Sequence, residues 1–260
     1  MVLKITNAET KKYTFPIKTI IVAILFVAVV IVNNFMLTSS VTKNIHYDPK
    51  KCDNMVDGHC DDANGGAWSY RTNEGACAHS ESSVPRDFGA SNSLVTLFPT
   101  VENVLDFGGG QGPYLLSFRD KGVSPLVIME PQPLGECIFK GMIQDTTDLV
   151  NTPLKNLPKK KFDLVMSIEV VEHIPVEFHP HIVDALAQAC KTYILFSAAH
   201  PGQGGEGHVG PSMKTRDQWV EEFGSRQPDF ELDTEKMKEF HNTTGGILTT
   251  NAFILKRKGT

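Results

Sequence analysis

Three alternate glycines follow a short apolar run and could hold a ligand close to the backbone. The stretch 101–107 leads into Gly108, Gly110 and Gly112, and the apolar start of a helix comes directly afterwards. Glycine permits a tight bend and leaves backbone N–H groups open to a ligand that lies against the loop. The pattern therefore predicts a strand, a ligand-binding loop and a helix in succession.

Two carboxylates accompany this loop and indicate which cofactor it takes. Asp106 lies two residues before Gly108, where its charge would repel a pyrophosphate but attract a cation such as the ammonium or sulfonium of S-adenosylmethionine. Pro113 departs from the G-x-G-x-x-G pattern of dinucleotide sites and disfavours a nicotinamide oxidoreductase. Glu130 ends the next apolar run, where a carboxylate can accept hydrogen bonds from both ribose hydroxyls. The alternative is a glycine turn with two surface acids.

Strand-like runs alternate with helical stretches from about Ser91 onward, which sets the fold class. The strand-like runs are 101–107, 125–130, 162–168 and 192–198, and 181–190 has helical spacing. Strands that alternate with helices predict parallel crossovers and a doubly wound α/β sheet. The run 247–257 is rich in β-forming residues and has no helix after it. It predicts a final antiparallel strand that joins the sheet through a hairpin.

At these motifs the chain resembles a known family. The residues that carry the resemblance are D-x-G-x-G-x-G at 106–112, Glu130, and FDLVMSIEVVEHIP at 162–175. Over roughly 91–257 the chain is similar to the class I S-adenosylmethionine-dependent methyltransferases, in the branch of the type 11 or type 23 domain. The resemblance implies a mostly parallel seven-stranded sheet with an antiparallel last strand, and S-adenosylmethionine as the cofactor.

The resemblance also assigns cofactor contacts. It implies that Gly108, Gly110 and Gly112 line the methionine part of the cofactor and that Glu130 binds its ribose. An acidic residue near the adenine is expected after the third strand, where Asp145 is the best match and Asp148 the second. A solvated loop aspartate is the alternative for either position.

The candidates for catalysis follow the fourth and fifth predicted strands. Glu169, Glu172 and His173 come directly after the fourth strand, and His208 lies in a loop rich in glycine after the fifth. Methyl transfer needs a base only when the acceptor arrives protonated, and histidine titrates near neutral pH. We therefore predict His208, His173 and Glu169 on the acceptor side of the cleft. The alternative for His173 is a ring that braces the loop through a backbone hydrogen bond.

Several histidines invite a metal site, but their spacing does not support one. No H-E-x-x-H arrangement occurs, and the sequence therefore predicts no metal. The cysteines Cys137 and Cys190 lie singly among apolar neighbours, which predicts that both are packing residues.

An apolar segment at the amino terminus predicts a membrane anchor. We interpret 1–19 as a cytoplasmic tail, 20–38 as a transmembrane signal-anchor, 39–90 as a stem or cap, and 91–260 as the methyltransferase domain. A cleaved signal peptide and a buried core helix are the alternatives for the apolar segment.

The charge pattern around the anchor predicts its orientation. The basic residues before it favour a cytoplasmic amino terminus, and a cysteine-bearing stem with a glycosylation sequon at Asn242 suits a lumenal or extracellular domain. A cofactor made in the cytosol argues against this orientation, because it would have to be imported.

Net charge narrows the choice of partners. A formal charge of −5 argues against a protein that binds nucleic acid by neutralising phosphates. The sequence therefore predicts a membrane-anchored methyltransferase that acts on a small-molecule or glycan acceptor, with an undetermined oligomeric state. The alternative is a catalytically inactive methyltransferase-like domain that binds the cofactor or a partner.

Overall fold

The structure, a computed structural model, describes residues 55–56, 59–60, 88–131, 134–204 and 208–260. The signal-anchor prediction at 20–38 and the tail before it lie outside the described residues, as does most of the proposed stem. In the part of the chain that is described, no helix combines the length and the apolar character needed to cross a bilayer. Met55–Val56 and His59–Cys60 form a small antiparallel pair.

Seven strands form one sheet that carries the candidate site. In chain order they are β1 Val104–Phe107, β2 Leu126–Met129, β3 Ile143–Asp145, β4 Phe162–Ile168, β5 Cys190–Ser197, β6 Phe230–Leu232 and β7 Phe253–Arg257. Their order across the sheet is β3-β2-β1-β4-β5-β7-β6, and β7 runs antiparallel to both of its neighbours. The prediction of a mostly parallel seven-stranded sheet with an antiparallel last strand is confirmed.

Helices cover both faces of the sheet. They are α1 Phe88–Leu97, α2 Leu116–Asp120, α3 His179–Ala189, α4 Arg216–Arg226, α5 Thr234–Thr243 and α6 Ile247–Asn251. Helix α1 begins within the segment that the sequence assigned to the stem, and it buries Ala90 and Leu94 in the domain core. The helical prediction for 181–190 is confirmed by α3.

Apolar strands form the centre of the domain because both faces of the sheet are covered. Every residue of β1 and β2 is buried, as expected for strands between two helical layers. One core packs α3 and α4 on the sheet, with Trp219 and Phe223 from α4. A second core on the other face contains Leu94 of α1 and Phe240 of α5.

The predicted long strand 247–257 is wrong in its first half. Ile247–Asn251 is a short helix, and only Phe253–Arg257 extends the sheet. Gly246 adopts a φ of 64° before this helix, a conformation that side chains disfavour. The turn buries Leu248 and Asn251, and this tertiary packing outweighs the β propensity of Ile and Thr. The predicted hairpin is also wrong, because helices α5 and α6 connect β6 to β7.

Candidate functional site

The carboxyl ends of β1 to β4 meet at one edge of the sheet and bring the predicted cofactor residues together. Phe107 at the end of β1 lies level with Met129 at the end of β2, which in turn lies level with Asp145 at the end of β3. Gly108 donates its N–H to the Met129 carbonyl at 2.9 Å, and Glu130 donates its N–H to the Asp145 carbonyl at 3.0 Å. The sequence-predicted residues of three strands therefore share this edge.

The glycine loop needs glycine both for its conformation and for its packing. Gly108, Gly110 and Gly112 have φ values of 69°, 53° and 87°, a region that residues with a Cβ rarely enter. A Cβ on Gly108 would lie 2.6 Å from the side chain of Val170, and one on Gly112 would lie 2.7 Å from Ile128. The loop is therefore fitted closely between the ends of β2 and β4.

Two backbone amides of this loop are available for a ligand. Gly112 donates its N–H to the carbonyl of Gly109 at 2.8 Å, which closes the turn. Within the described residues, the N–H groups of Gly109 and Gly110 have no protein acceptor. Such N–H groups in a glycine-rich turn after a strand can bind the carboxylate of a ligand. The loop therefore fits the amino-acid end of S-adenosylmethionine.

Asp106 is buried directly beneath the glycine loop. Its side chain is 1% exposed, and a Cβ on Gly109 would collide with its carboxyl group. Oδ2 of Asp106 has no hydrogen-bond partner in the described protein. Burial raises the pKa of this carboxyl group from 3.8 to about 8, because desolvation penalises the charged form. Without a cation nearby, Asp106 is therefore mostly neutral at pH 7.

Glu130 and Asp145 occupy the outer part of the same edge. The carbonyl of Glu130 accepts a hydrogen bond from Nε2 of Gln144 at 3.0 Å, and the side chain of Glu130 is partly exposed. One carboxylate oxygen of Asp145 accepts the N–H of Thr147 at 2.9 Å. Asp148, in contrast, uses both oxygens to shape its own turn. Of the two aspartates, Asp145 is the better placed to meet a ligand.

Glu169 is the centre of a hydrogen-bond network that joins three segments. Its carboxylate accepts hydrogen bonds from Oγ of Ser197 at 2.7 Å, Nε2 of Gln203 at 2.9 Å and Nδ2 of Asn251 at 3.2 Å. Its backbone has a φ of 54°, which is unusual for a residue with a side chain. Glu169 therefore fixes the loop after β5 relative to the end of β4 and to helix α6.

Glu172 is a buried carboxylate that no described donor reaches in good hydrogen-bond geometry. It lies in the short 3-10 turn Val171–His173, its side chain is 0% exposed, and neither carboxylate oxygen has a hydrogen-bond partner in the described protein. Burial raises the pKa of Glu172 well above its usual value, and the negative charge of Glu169 adds to this. The amides of Glu172 and Ala199 lower the pKa by less, without reaching hydrogen-bond geometry.

The two predicted histidines lie together beside Glu172. The rings of His173 and His208 have centroids 4.9 Å apart, and Nε2 of His208 lies 4.0 Å from Oε1 of Glu172. Nδ1 of His208 is 3.3 Å from the carbonyl of Gln203. The N–H of Val209 donates to the Glu172 carbonyl at 2.9 Å, which ties the loop to the turn. Residues separated along the chain are thus brought into one cluster.

A third histidine, His179, lies behind the turn Val171–His173 and packs on Trp219. His179 shares the carbonyl of Ile174 with Ser212, at 2.9 Å from its Nε2 and 2.6 Å from the Ser212 hydroxyl. Its ring packs on Trp219 with a centroid separation of 4.8 Å. Burial lowers the pKa of His179 to about 4, helped by the charge of Lys214. His179 is therefore neutral at pH 7 and supports the position of Glu172 and His173.

The glycine loop and the edge of parallel strands are the features of a family that the chain matches. Residues 82–230 match the model of the methyltransferase domain. The chain belongs to the methyltransferase domain family. The predicted class, a class I S-adenosylmethionine-dependent methyltransferase, is confirmed, and the matched segment contains the glycine loop, Glu130 and the histidine cluster. No curated protein matches the chain in sequence.

Solved structures share this fold at low sequence identity. Human N-acetylserotonin methyltransferase in complex with SAM is 15% identical, with a TM-score of 0.53 over 74% of this chain and 58% of that chain. The plantazolicin methyltransferase BpumL in complex with SAH is 12% identical, with a TM-score of 0.50 over 72% of this chain and 90% of that chain. This chain thus spans little more than half of the human enzyme.

Sequence reasoning missed the residues that hold Glu169 and the state of one cysteine. Gln203 and Asn251 come from distant segments, and only the polar character of Gln203 within a glycine-rich loop could have marked it. Cys190 is buried and free, which confirms that it packs in the core. Cys137, however, is disulfide-bonded, so the prediction that it is a single packing thiol is wrong. Its position in a loop after β2 leaves it accessible for pairing.

Proposed function

We propose that the carboxyl edge of the sheet binds S-adenosylmethionine and that the protein transfers its methyl group to a small-molecule or glycan acceptor. One observation carries the proposal: the glycine loop after β1 and Glu130 after β2 lie side by side, linked by the bond from Gly108 to Met129. The loop amides that would bind the carboxylate of the cofactor therefore lie beside the Glu130 side chain that would bind its ribose.

The chain's own residues divide the work of holding the cofactor. In this proposal the amides of Gly109 and Gly110 bind the amino-acid carboxylate, Glu130 accepts hydrogen bonds from the ribose hydroxyls, and Asp145 lies near the adenine. The bound cofactor supplies a methyl group that is already activated. The protein therefore accelerates the reaction mainly by aligning the acceptor and removing water.

The acceptor is expected on the side of the histidine cluster. Glu169 acts as a positioning residue, because it binds Gln203 in the loop that carries His208 and ties it to Ser197 of β5 and Asn251 of α6. Val170, which lies against Gly108, directly precedes the turn that carries His173, and the ring of His208 packs on that of His173. Proton acceptance by either ring stays a prediction. An acceptor that is already a good nucleophile needs no base.

Glu130→Ala is expected to weaken cofactor binding about tenfold or more while the protein stays folded. Loss of hydrogen bonds to a carboxylate costs about 1.5–3 kcal/mol. Calorimetric titration with S-adenosylmethionine measures the effect. Glu136→Ala is the matched control, because Glu136 is an exposed glutamate in the same loop. Equal affinity of the two variants would remove Glu130 from the site.

Product formation tests the transfer itself. The full chain is incubated with S-adenosylmethionine carrying a labelled methyl group and with separated small-molecule and glycan extracts. We expect label in a product one methyl group heavier than its precursor, and its absence with Gly110→Val. Cofactor binding without any labelled product would support the inactive domain.

We further propose that the chain is a single-pass membrane protein with its amino terminus in the cytoplasm and its domain in the lumen or outside the cell. The apolar segment 20–38 and the basic residues before it support this orientation. The disulfide at Cys137 adds support, because disulfides persist in oxidising compartments. Asn242 of the sequon is exposed near the end of α5, where a glycan could be attached.

Protease added to sealed microsomes is expected to leave the domain intact until detergent is present. A glycosidase should reduce the mass of the wild-type chain but not of Asn242→Gln. Asn92→Gln is the matched control, since Asn92 is an exposed helical asparagine outside the sequon. Digestion of the domain without detergent would place it in the cytosol and contradict the proposed topology.

A further inference from the structure

The cluster of Glu172, His173 and His208 has the composition of a metal site. Each residue offers one ligand atom, and these atoms all lie within 4.8 Å of one another. In a tetrahedral metal site with bonds of about 2.1 Å, two ligand atoms lie about 3.4 Å apart. The 4.0 Å between Nε2 of His208 and Oε1 of Glu172 therefore needs only a small contraction to reach this geometry.

The hydrogen bonds around His208 turn its lone pair toward Glu172. A backbone carbonyl can only accept, so Nδ1 of His208 carries the proton that reaches the Gln203 carbonyl at 3.3 Å. In the neutral ring, Nε2 is then the acceptor atom, and it is the atom that lies 4.0 Å from the Glu172 oxygen. A cation between these two atoms would bind both the Nε2 lone pair of His208 and the carboxylate form of Glu172.

Glu172 supplies a second, independent indication that a cation binds here. A buried carboxylate normally has hydrogen-bond donors or a bound cation. Glu172 is fully buried, and neither oxygen has a donor in good hydrogen-bond geometry in the described protein; only the amides of Glu172 and Ala199 lie close enough to act on it. The backbone on both sides of the cluster is tied down, because the Val209 N–H binds the Glu172 carbonyl and Gln203 donates to Glu169.

We propose that Glu172, His173 and His208 bind a divalent transition-metal cation of the zinc type, with an open position for an oxygen atom of the methyl acceptor. Two imidazoles and one carboxylate suit a zinc-type cation better than magnesium, which prefers oxygen ligands. Three protein ligands with one open position are typical of metal sites that bind a substrate or water. The cation is thus the group that the buried carboxylate lacks.

This inference rests on the proposed function and deepens it by naming an oxygen nucleophile as the acceptor. A cation lowers the pKa of an oxygen acid bound to it, so a hydroxyl acceptor would lose its proton to water at neutral pH. A lone pair of the acceptor oxygen forms the bond to the methyl carbon while the carbon–sulfur bond breaks. The electron pair of that bond stays on sulfur and leaves the neutral thioether product.

Metal titration of the full chain tests the proposal without any methyl transfer. After treatment with a chelator, the protein is titrated with Co²⁺ and followed by its visible absorption, and with Zn²⁺ and followed by calorimetry. We expect one equivalent of either ion to bind. Glu172→Gln and His208→Ala should each weaken binding more than about a hundredfold, because outer-shell changes alone cost ten- to a hundredfold.

His200→Ala is the matched control. His200 lies in the same loop as His208, but its Nδ1 contacts the Pro201 carbonyl and it is outside the cluster. It should bind metal as the wild type does, with an unchanged near-ultraviolet circular dichroism spectrum in all variants. Absence of stoichiometric binding to the folded wild type would overturn the proposal. Equal affinity in His208→Ala, or binding of Mg²⁺ alone, would overturn it as well.

Cofactor binding, measured in parallel, separates the two proposals. S-adenosylmethionine that binds to a chain without metal affinity would refute the cation site and leave the proposed function standing. A chain that binds zinc through these three residues but does not bind the cofactor would refute the proposed function, together with the role of the cation in it.

Discussion

Replacement of Gly110 by valine is expected to lower cofactor affinity by about a hundredfold, the equivalent of about 3 kcal/mol. Gly110 has a φ of 53°, and a β-branched residue there is strained by about 1–3 kcal/mol. Relief of this strain moves the loop backbone, and the new side chain occupies the space through which the cofactor approaches. Calorimetric titration with S-adenosylmethionine measures the loss.

Gly122→Val separates this effect from general backbone strain. Gly122 has a φ of 80°, and a Cβ there would have no atom within 4 Å. Its substitution should therefore cost stability through the same backbone strain, yet leave cofactor affinity unchanged. If both variants lose affinity equally, or if Gly110→Val binds as the wild type does, the loop is not the cofactor site.

Cofactor affinity is expected to rise with pH up to about 8 because of Asp106. Its pKa is about 8 without ligand, since burial penalises the charged form. The ammonium of a bound cofactor would favour the carboxylate and lower this pKa, so binding releases a proton below pH 8. Affinity should then increase by up to about tenfold per pH unit below pH 8 and level off above it.

Asp106 also makes folding stability depend on pH, and stability is expected to fall as pH rises, whereas cofactor affinity rises. The folded pKa of Asp106 lies above its unfolded value of 3.8, so its contribution to stability is full below pH 4. That contribution is lost as pH rises to about 8. Asp106→Asn should remove both dependences, as measured by thermal unfolding across this range.

Calorimetry in two buffers of different ionisation enthalpy measures the released proton directly. Asp106→Asn should bind the cofactor more weakly and without proton release. Asp120→Asn is the matched control, because Asp120 is exposed and pairs with Arg119 at the end of α2. Proton release that is the same in all three proteins would mean that Asp106 does not sense the ligand.

The sequence predicted those features that residues close together in the chain determine. Apolar runs of four to seven residues became buried strands, and the spacing of Gly108, Gly110 and Gly112 predicted a loop whose conformation needs glycine. Glu130 and Asp145 were identifiable because parallel strands place their carboxyl ends at one edge. These features depend on neighbours that are close in the chain.

Features that depend on distant contacts could not be predicted. The helix Ile247–Asn251 has the composition of a strand, and it is stabilised by burial of Leu248 and by the bond from Asn251 to Glu169, 82 residues away. The metal-type cluster lacks a local motif because His208 reaches Glu172 through a loop that Gln203 anchors. Spacing rules for helical metal motifs therefore gave no signal.

Titration of the folded full chain with S-adenosylmethionine tests the central claim most directly. We expect saturable binding of one cofactor per chain, weakened by Glu130→Ala and more strongly by Gly110→Val, with the two controls, Glu136→Ala and Gly122→Val, unchanged. A wild-type chain with an intact near-ultraviolet circular dichroism spectrum and no binding of S-adenosylmethionine would contradict the account.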